Sequence, residues 1–468
     1  MIMKKFILII FCLFLFKFSF SQSHSDELIG DWTGYLQMGD KKMKLIFHFE
    51  KPDKELIGKM DSPEQGAFGL NFSSVNLYLK YLNVELKAFK LSFKGKIITK
   101  DSISGEFKQG NFSTPLSLVK SLDPISSKPN RPQEPKEPFP YKVKEVKFKN
   151  ELENFNLAGT LTIPEGKGPF PAVILISGSG PQNRDEEIMG HKPFLVIADY
   201  LTRNGIAVLR YDDRGVGESE GDFQKATTSD FAFDAQSAYI YLKKQKKIDK
   251  NKIGIIGHSE GGMIAQIIAA NDSNVKLIVL LAAPGVKISE LMLKQTEMNL
   301  AINGISKEEI DVSLELNKKF YNILLTEPEN DKATLKIDKI LTDHLNSMTP
   351  EEANQIKLQI SLIKKTLLSS WFRYFIKFDP DFYLRQVKCA VLAINGEKDV
   401  QVSCEENLYG IANSLEKSGN KRYEFHRMPN LNHLMQNANT GAVSEYMLIE
   451  ETFSPEVLKI MRDWIKAR

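Results

Sequence analysis

The chain predicts an α/β fold, a mostly parallel central sheet with a helical cap insertion, preceded by a small antiparallel β domain. Three observations carry this expectation. From residue 142 onward, short wholly apolar runs alternate with helical stretches, as in parallel strands buried on both faces. From about Leu28 to Lys120, apolar and polar residues alternate at period two between short turns. Between these regions lie Pro124, Pro129, Pro132, Pro135, Pro138 and Pro140. Prolines at that density support neither helix nor sheet, so residues 123–141 read as an extended, semi-rigid linker.

The first residues carry a targeting pattern. Lys4 and Lys5 precede an apolar run from Phe6 to Phe16, and Ser19-Phe20-Ser21 supplies a small-x-small cleavage site. This is the layout of a secretory signal peptide over residues 1–21. The run is short for a bilayer and Lys17 interrupts it; an uncleaved anchor is the alternative. The expectation is an exported protein, periplasmic or secreted, with no integral membrane span after cleavage. Removal of Lys4, Lys5 and Lys17 leaves 59 basic against 59 acidic residues. That balance gives no electrostatic footprint for nucleic acid. Cys389 and Cys404 remain and read as free thiols, although export would permit a disulfide. No cysteine–histidine spacing suggests a zinc site, so no metal is expected.

The β domain is expected over residues 22–122, as a barrel or sandwich. Its strands include Lys44 to Phe49, Val75 to Leu79, Lys90 to Lys94 and Ser102 to Phe107. His48, between Phe47 and Phe49, reads as an outward-facing strand residue. The second domain, residues 142–468, opens with antiparallel segments at 145–148 and 157–162. Buried parallel strands follow at 172–176, 207–211, 252–256, 277–281 and 390–394. Residues 288–383 break the alternation; they are rich in lysine and leucine and helical in period, and read as the cap.

Chemistry concentrates at Gly257-His258-Ser259-Glu260-Gly261, between the strand Lys252 to Ile256 and the apolar helix from Gly262 to Ala270. A serine at so tight a strand-to-helix turn is held in a strained conformation with its hydroxyl above the sheet edge. A side chain at Gly257 or Gly261 would clash. Serine needs a base to take its proton, and the base needs a carboxylate to orient it. After the strand at Ala390, Asn395-Gly396-Glu397-Lys398-Asp399 offers Asp399 as the acid, with Glu397 as competitor. Beyond the strand 422–427, His433 lies in a loop that can approach the serine. His426 lies within that strand, where the pleat fixes its direction. A developing oxyanion needs donors. The backbone N–H groups of Glu260 and Ser179 are the candidates, the latter from Ser177-Gly178-Ser179-Gly180-Pro181, which lacks the lysine of a phosphate loop. His191 could line the pocket, but a surface or supporting position suits it better. Asp212-Asp213-Arg214-Gly215 reads as a loop that orders the site floor through salt bridges.

Taken together, residues 177–185, Tyr211 to Ser219, 257–262, 395–399 and Leu431-Asn432-His433 with Thr440-Gly441 resemble the α/β-hydrolase superfamily. Within it, the chain is similar to exported bacterial hydrolases of the carboxylesterase and serine-aminopeptidase-like branch. The resemblance spans residues 142–468 and implies Ser259, Asp399 and His433 as catalytic triad, no cofactor, and a small-molecule ester of short acyl chain as substrate. The β domain resembles an N-terminal extension found in some of these proteins. Alternatives within serine chemistry are an aminopeptidase or a thioesterase. An alternative of another class is a cell-envelope binding protein with an auxiliary hydrolase fold.

Overall fold

The computed structural model describes residues 25–38, 41–52, 55–63, 67–110, 112–121, 130–346, 360–361 and 363–468. The signal segment expected at 1–21 lies outside them. The chain divides into two compact units between Asn130 and Arg131.

Among the described residues of the first unit, period-two patterning yields nine strands: β1 Gly30–Met38, β2 Lys41–Glu50, β3 Ile57–Ser62, β4 Ala67–Asn71, β5 Ser74–Tyr78, β6 Tyr81–Leu86, β7 Leu91–Thr99, β8 Ser102–Gln109 and β9 Phe112–Lys120. They form one antiparallel sheet in the order β4-β3-β2-β1-β9-β8-β7-β6-β5. The sheet curls as a half-barrel around one core containing Trp32, Phe47, Phe49, Phe93 and Phe107. The Trp32 indole donates to the Leu28 carbonyl at 2.8 Å, so its polar edge is satisfied within that core. His48 does not face solvent. It is 5 % exposed, between Asp31 at 2.6 Å and Asp61 at 2.8 Å. Ile46, Phe47, His48 and Phe49 are all buried, so both faces of β2 are covered here and alternation no longer reports the solvent side.

The second unit carries an eight-stranded sheet: β10 Tyr141–Asn150, β11 Phe155–Pro164, β12 Phe170–Ile176, β13 Ala207–Tyr211, β14 Ile248–His258, β15 Leu277–Leu281, β16 Ala390–Gly396 and β17 Tyr423–Met428. Its order is β10-β11-β13-β12-β14-β15-β16-β17. β11 pairs antiparallel with β10 and β13, and all later neighbours are parallel. Alternate residues of β12 enter opposite layers: Ala172, Ile174 and Ile176 on one face, Val173 and Leu175 on the other. Burial on both faces explains why these strands read as unbroken apolar runs. The carboxyl ends of the parallel strands gather the loops that hold the candidate site.

The cap is helical over its described residues, with helices Ile288–Ile302, Lys307–Thr326, Asn330–Asn346, Ser370–Phe375 and Pro380–Leu384. A capping box between Ser306 and Glu309 starts the second of these. No described helix is long and apolar enough to cross a membrane. The proline-rich stretch expected as a linker at 123–141 is of two kinds. Residues 122–129 lie outside the described residues, whereas Arg131 to Pro140 belong to the second unit. The Arg131 guanidinium donates to the carbonyls of Met447 and Ile449 at 2.9 and 2.7 Å. Gln133 donates to the Phe453 carbonyl and accepts from Thr452 N–H. Proline density excludes regular structure but leaves side chains free to anchor the segment.

Candidate active site

The site is built on the turn between β14 and the helix Glu260–Asn271. Ser259 has φ 53° and ψ −119°, in the sparsely populated region that costs an L-residue about 1–3 kcal/mol. Its N–H donates to the Leu281 carbonyl at 2.9 Å, and its carbonyl accepts from Gly262 N–H at 2.9 Å. The glycines are sterically required. A Cβ on Gly257 would lie 2.1 Å from the Gly261 carbonyl oxygen, and one on Gly261 would lie 2.1 Å from that of Ile176. Gly261→Ala is therefore expected to cost about 3 kcal/mol or more in a urea melt, or to abolish soluble expression. Parent-like stability in that variant would mean that strand and helix can separate.

The predicted acid and base are together. His433 Nδ1 lies 2.8 Å from Asp399 Oδ2, and both side chains are buried. The other carboxylate oxygen, Oδ1, accepts the N–H groups of Gln401 and Val402 at 2.8 Å each. Asp399 therefore has one oxygen fixed by backbone donors and the other directed at the imidazole. The two loops interlock by backbone. Lys398 N–H donates to the Leu431 carbonyl at 3.0 Å, and a Cβ on Gly396 would lie 2.0 Å from that same oxygen. Glu397 instead faces Arg427, and His426 is paired with Glu424 on the strand. Neither competitor enters the site.

The loop after β12 carries Ser179. Asp213 braces it at both ends, accepting Ser177 Oγ at 3.1 Å and Gln182 N–H at 2.9 Å. Burial pushes the Asp213 carboxyl up to about 8 despite those donors. Asp212 and Glu218 pair with Arg184, and Arg214 pairs with Asp234, so Asp212 and Arg214 are salt-bridged whereas Asp213 is held by hydrogen bonds alone. The Glu260 side chain turns toward Thr228 Oγ1 at 2.7 Å and Trp371 Nε1 at 2.9 Å, with the Ser179 hydroxyl as a third partner. Burial raises its pKa against these three donors. Its N–H opens the helix, where the first amides have no intrahelical acceptor. Trp371 thus ties the cap to the residue after Ser259. Trp371→Phe keeps the ring stack on Phe375 but removes one donor from a buried carboxylate. We expect a loss of about 1 kcal/mol in a denaturant melt; an unchanged midpoint would show the bond to be dispensable.

Sequence reasoning missed the residues that hold His433 from behind. Its N–H donates to the Tyr446 hydroxyl, and its carbonyl lies 2.9 Å from His258 Nε2. The rings of His258 and His433 sit 4.8 Å apart by centroid. His258 Nδ1 lies 2.8 Å from Glu186 Oε1, an oxygen that also accepts Gly178 N–H at 2.6 Å. His191 is fully buried behind the site, bonded to the Tyr446 carbonyl at 2.7 Å and to Thr452 Oγ1 at 3.1 Å. Burial lowers its pKa to about 4, as befits a neutral clasp. Cys389 and Cys404 are buried free thiols. Among the described residues no group of three or more His, Cys, Asp or Glu could hold a metal ion.

The strand order, the antiparallel second strand and a strained serine at the strand-to-helix turn give the second unit the architecture of the α/β-hydrolase fold. Residues 192–350, which contain Ser259, match the family model described as serine aminopeptidase, S33. Esterase EstD of Thermotoga maritima is 35% identical over 165 residues, 35% of this chain and 39% of that protein. A thiohydrolase of Aspergillus aculeatus is 34% identical over 136 residues, 29% of this chain and 40% of that protein. The chain spans about two fifths of the length of the curated relatives it matches. Among solved structures, an esterase of Pyrococcus furiosus is 16% identical with a TM-score of 0.44, covering 73% of this chain and 98% of that chain.

Proposed function

We propose that the protein is an exported serine hydrolase that cleaves carboxylic esters of short acyl chain through an acyl-enzyme on Ser259. The observation that carries the reading is the buried His433–Asp399 pair at the sheet edge that bears the strained Ser259 turn. His433 Nε2 takes the hydroxyl proton as Ser259 Oγ bonds to the ester carbonyl carbon, and the carbonyl oxygen becomes an oxyanion facing the N–H groups of Ser179 and Glu260. Collapse breaks the bond to the alcohol oxygen, which leaves with the proton from His433. A water molecule then repeats the sequence, its hydroxyl entering the acid product and Ser259 recovering its proton. Asp399 keeps the imidazole in the tautomer whose Nε2 is free to accept.

The choice of ester follows from leaving-group chemistry, since an alkoxide or phenoxide departs more readily than an amine. The likeness to esterase EstD supports it, while the family model described as serine aminopeptidase supports serine hydrolysis without favouring the ester. Export is supported by Lys4, Lys5 and the short apolar run that follows them. The test is a substrate panel offered to mature protein: p-nitrophenyl acetate and butyrate, acetylated sugars, acyl thioesters and aminoacyl amides. Turnover is expected on the short esters. Turnover confined to aminoacyl amides or to thioesters would replace the ester reading by aminopeptidase or thioesterase, and none at all in folded protein would favour a binding role.

A further inference from the structure

We propose that Glu186 and His258 are positioning residues that hold the Ser179 loop and the His433 loop in register with Ser259 through one chain of hydrogen bonds. The inference rests on the serine-hydrolase reading of the same site. Its links run from Gly178 N–H to Glu186 Oε1 at 2.6 Å, from that oxygen to His258 Nδ1 at 2.8 Å, and from His258 Nε2 to the His433 carbonyl at 2.9 Å. Three segments distant in sequence thus meet at the residue that precedes Ser259. Glu186, His258 and His433 are 1, 5 and 4 % exposed, so solvent does not compete for these bonds.

The protonation state follows from the partners. The His433 carbonyl can only accept, so Nε2 donates to it, and with Glu186 as a carboxylate accepting from Nδ1 the His258 ring is an imidazolium. Burial is the largest single influence and would depress its pKa, but the Glu186 carboxylate, the His433 carbonyl and the Asp399 charge together outweigh it and raise the value above that of an ordinary imidazole. The charged or titratable groups that face it come from three loops: Glu186 after β12, Asp399 after β16 and His433 after β17. When pH rises through that raised value, whichever nitrogen loses its proton turns a lone pair onto an acceptor. One link of the chain then breaks. The chain is whole below that pKa and broken above it, so activity should fall on the alkaline side.

Glu186→Gln separates positioning from folding, because the amide is isosteric and its carbonyl can still accept Gly178 N–H. Without the carboxylate, the His258 pKa drops. The alkaline limb of kcat/KM for p-nitrophenyl butyrate should move to lower pH. Glu186→Ala should lower kcat at least tenfold with KM within about threefold, in protein whose circular dichroism matches the parent. An alkaline limb that does not move in Glu186→Gln, or a full kcat in folded Glu186→Ala, would overturn the inference. The serine-hydrolase reading fails separately, by absence of ester turnover in the parent protein.

Discussion

Ser259→Ala is expected to lower kcat on p-nitrophenyl butyrate by about 10⁴-fold or more, with little change in the melting profile. The hydroxyl is the only atom removed, and the turn that carries it remains sterically defined by Gly257 and Gly261. His433, Asp399 and the loop donors stay in place, so a residual rate above that in water is expected from them alone. The variant should also fail to react with a fluorophosphonate probe that labels the parent. Turnover within tenfold of the parent would remove Ser259 from the chemistry. The comparison is clean because alanine can occupy the same strained backbone at a similar cost.

Asp399→Asn should come close to it, lowering kcat by roughly 10³–10⁴-fold while the fold survives. The direction follows from the hydrogen bonds around the carboxylate. Oδ1 accepts two backbone N–H groups, from Gln401 and Val402, so the amide oxygen of asparagine must take that position. Its NH₂ then occupies the place of Oδ2, 2.8 Å from His433 Nδ1. A donor there forces Nδ1 to accept and moves the imidazole proton to Nε2, which can no longer take the serine proton. Both kcat and the rate of fluorophosphonate labelling should fall together. An unimpaired labelling rate would assign the orienting role to another group, and Glu397 is too far engaged with Arg427 to supply it.

Much of this site was legible because its signals are local. The elbow occupies consecutive residues whose glycines answer a steric demand. The parallel strands are apolar runs because both faces are covered, and Asp399 and His433 follow strand ends in chain order. What escaped notice depends on contacts between remote segments. Glu186 reaches His258 across 72 positions and Trp371 reaches Glu260 across 111. No spacing or periodicity announces either, since each residue taken alone has an ordinary setting. His258 stood beside Ser259, yet its further role needed the His433 carbonyl. His48 was misjudged because alternation reports a solvent face only when one face is open. The anchoring of Arg131 and Gln133 was hidden by a composition that speaks to backbone structure and not to side-chain docking.

The central claim is that a covalent ester forms on one hydroxyl. Rapid quench of the parent protein with excess p-nitrophenyl butyrate, followed by proteolysis and mass spectrometry, tests it most directly. The account predicts a butyryl mass on the peptide containing Ser259, accumulating no faster than p-nitrophenol appears and disappearing as butyrate forms. Turnover in the parent with no acyl adduct, or an adduct on another residue, would contradict it.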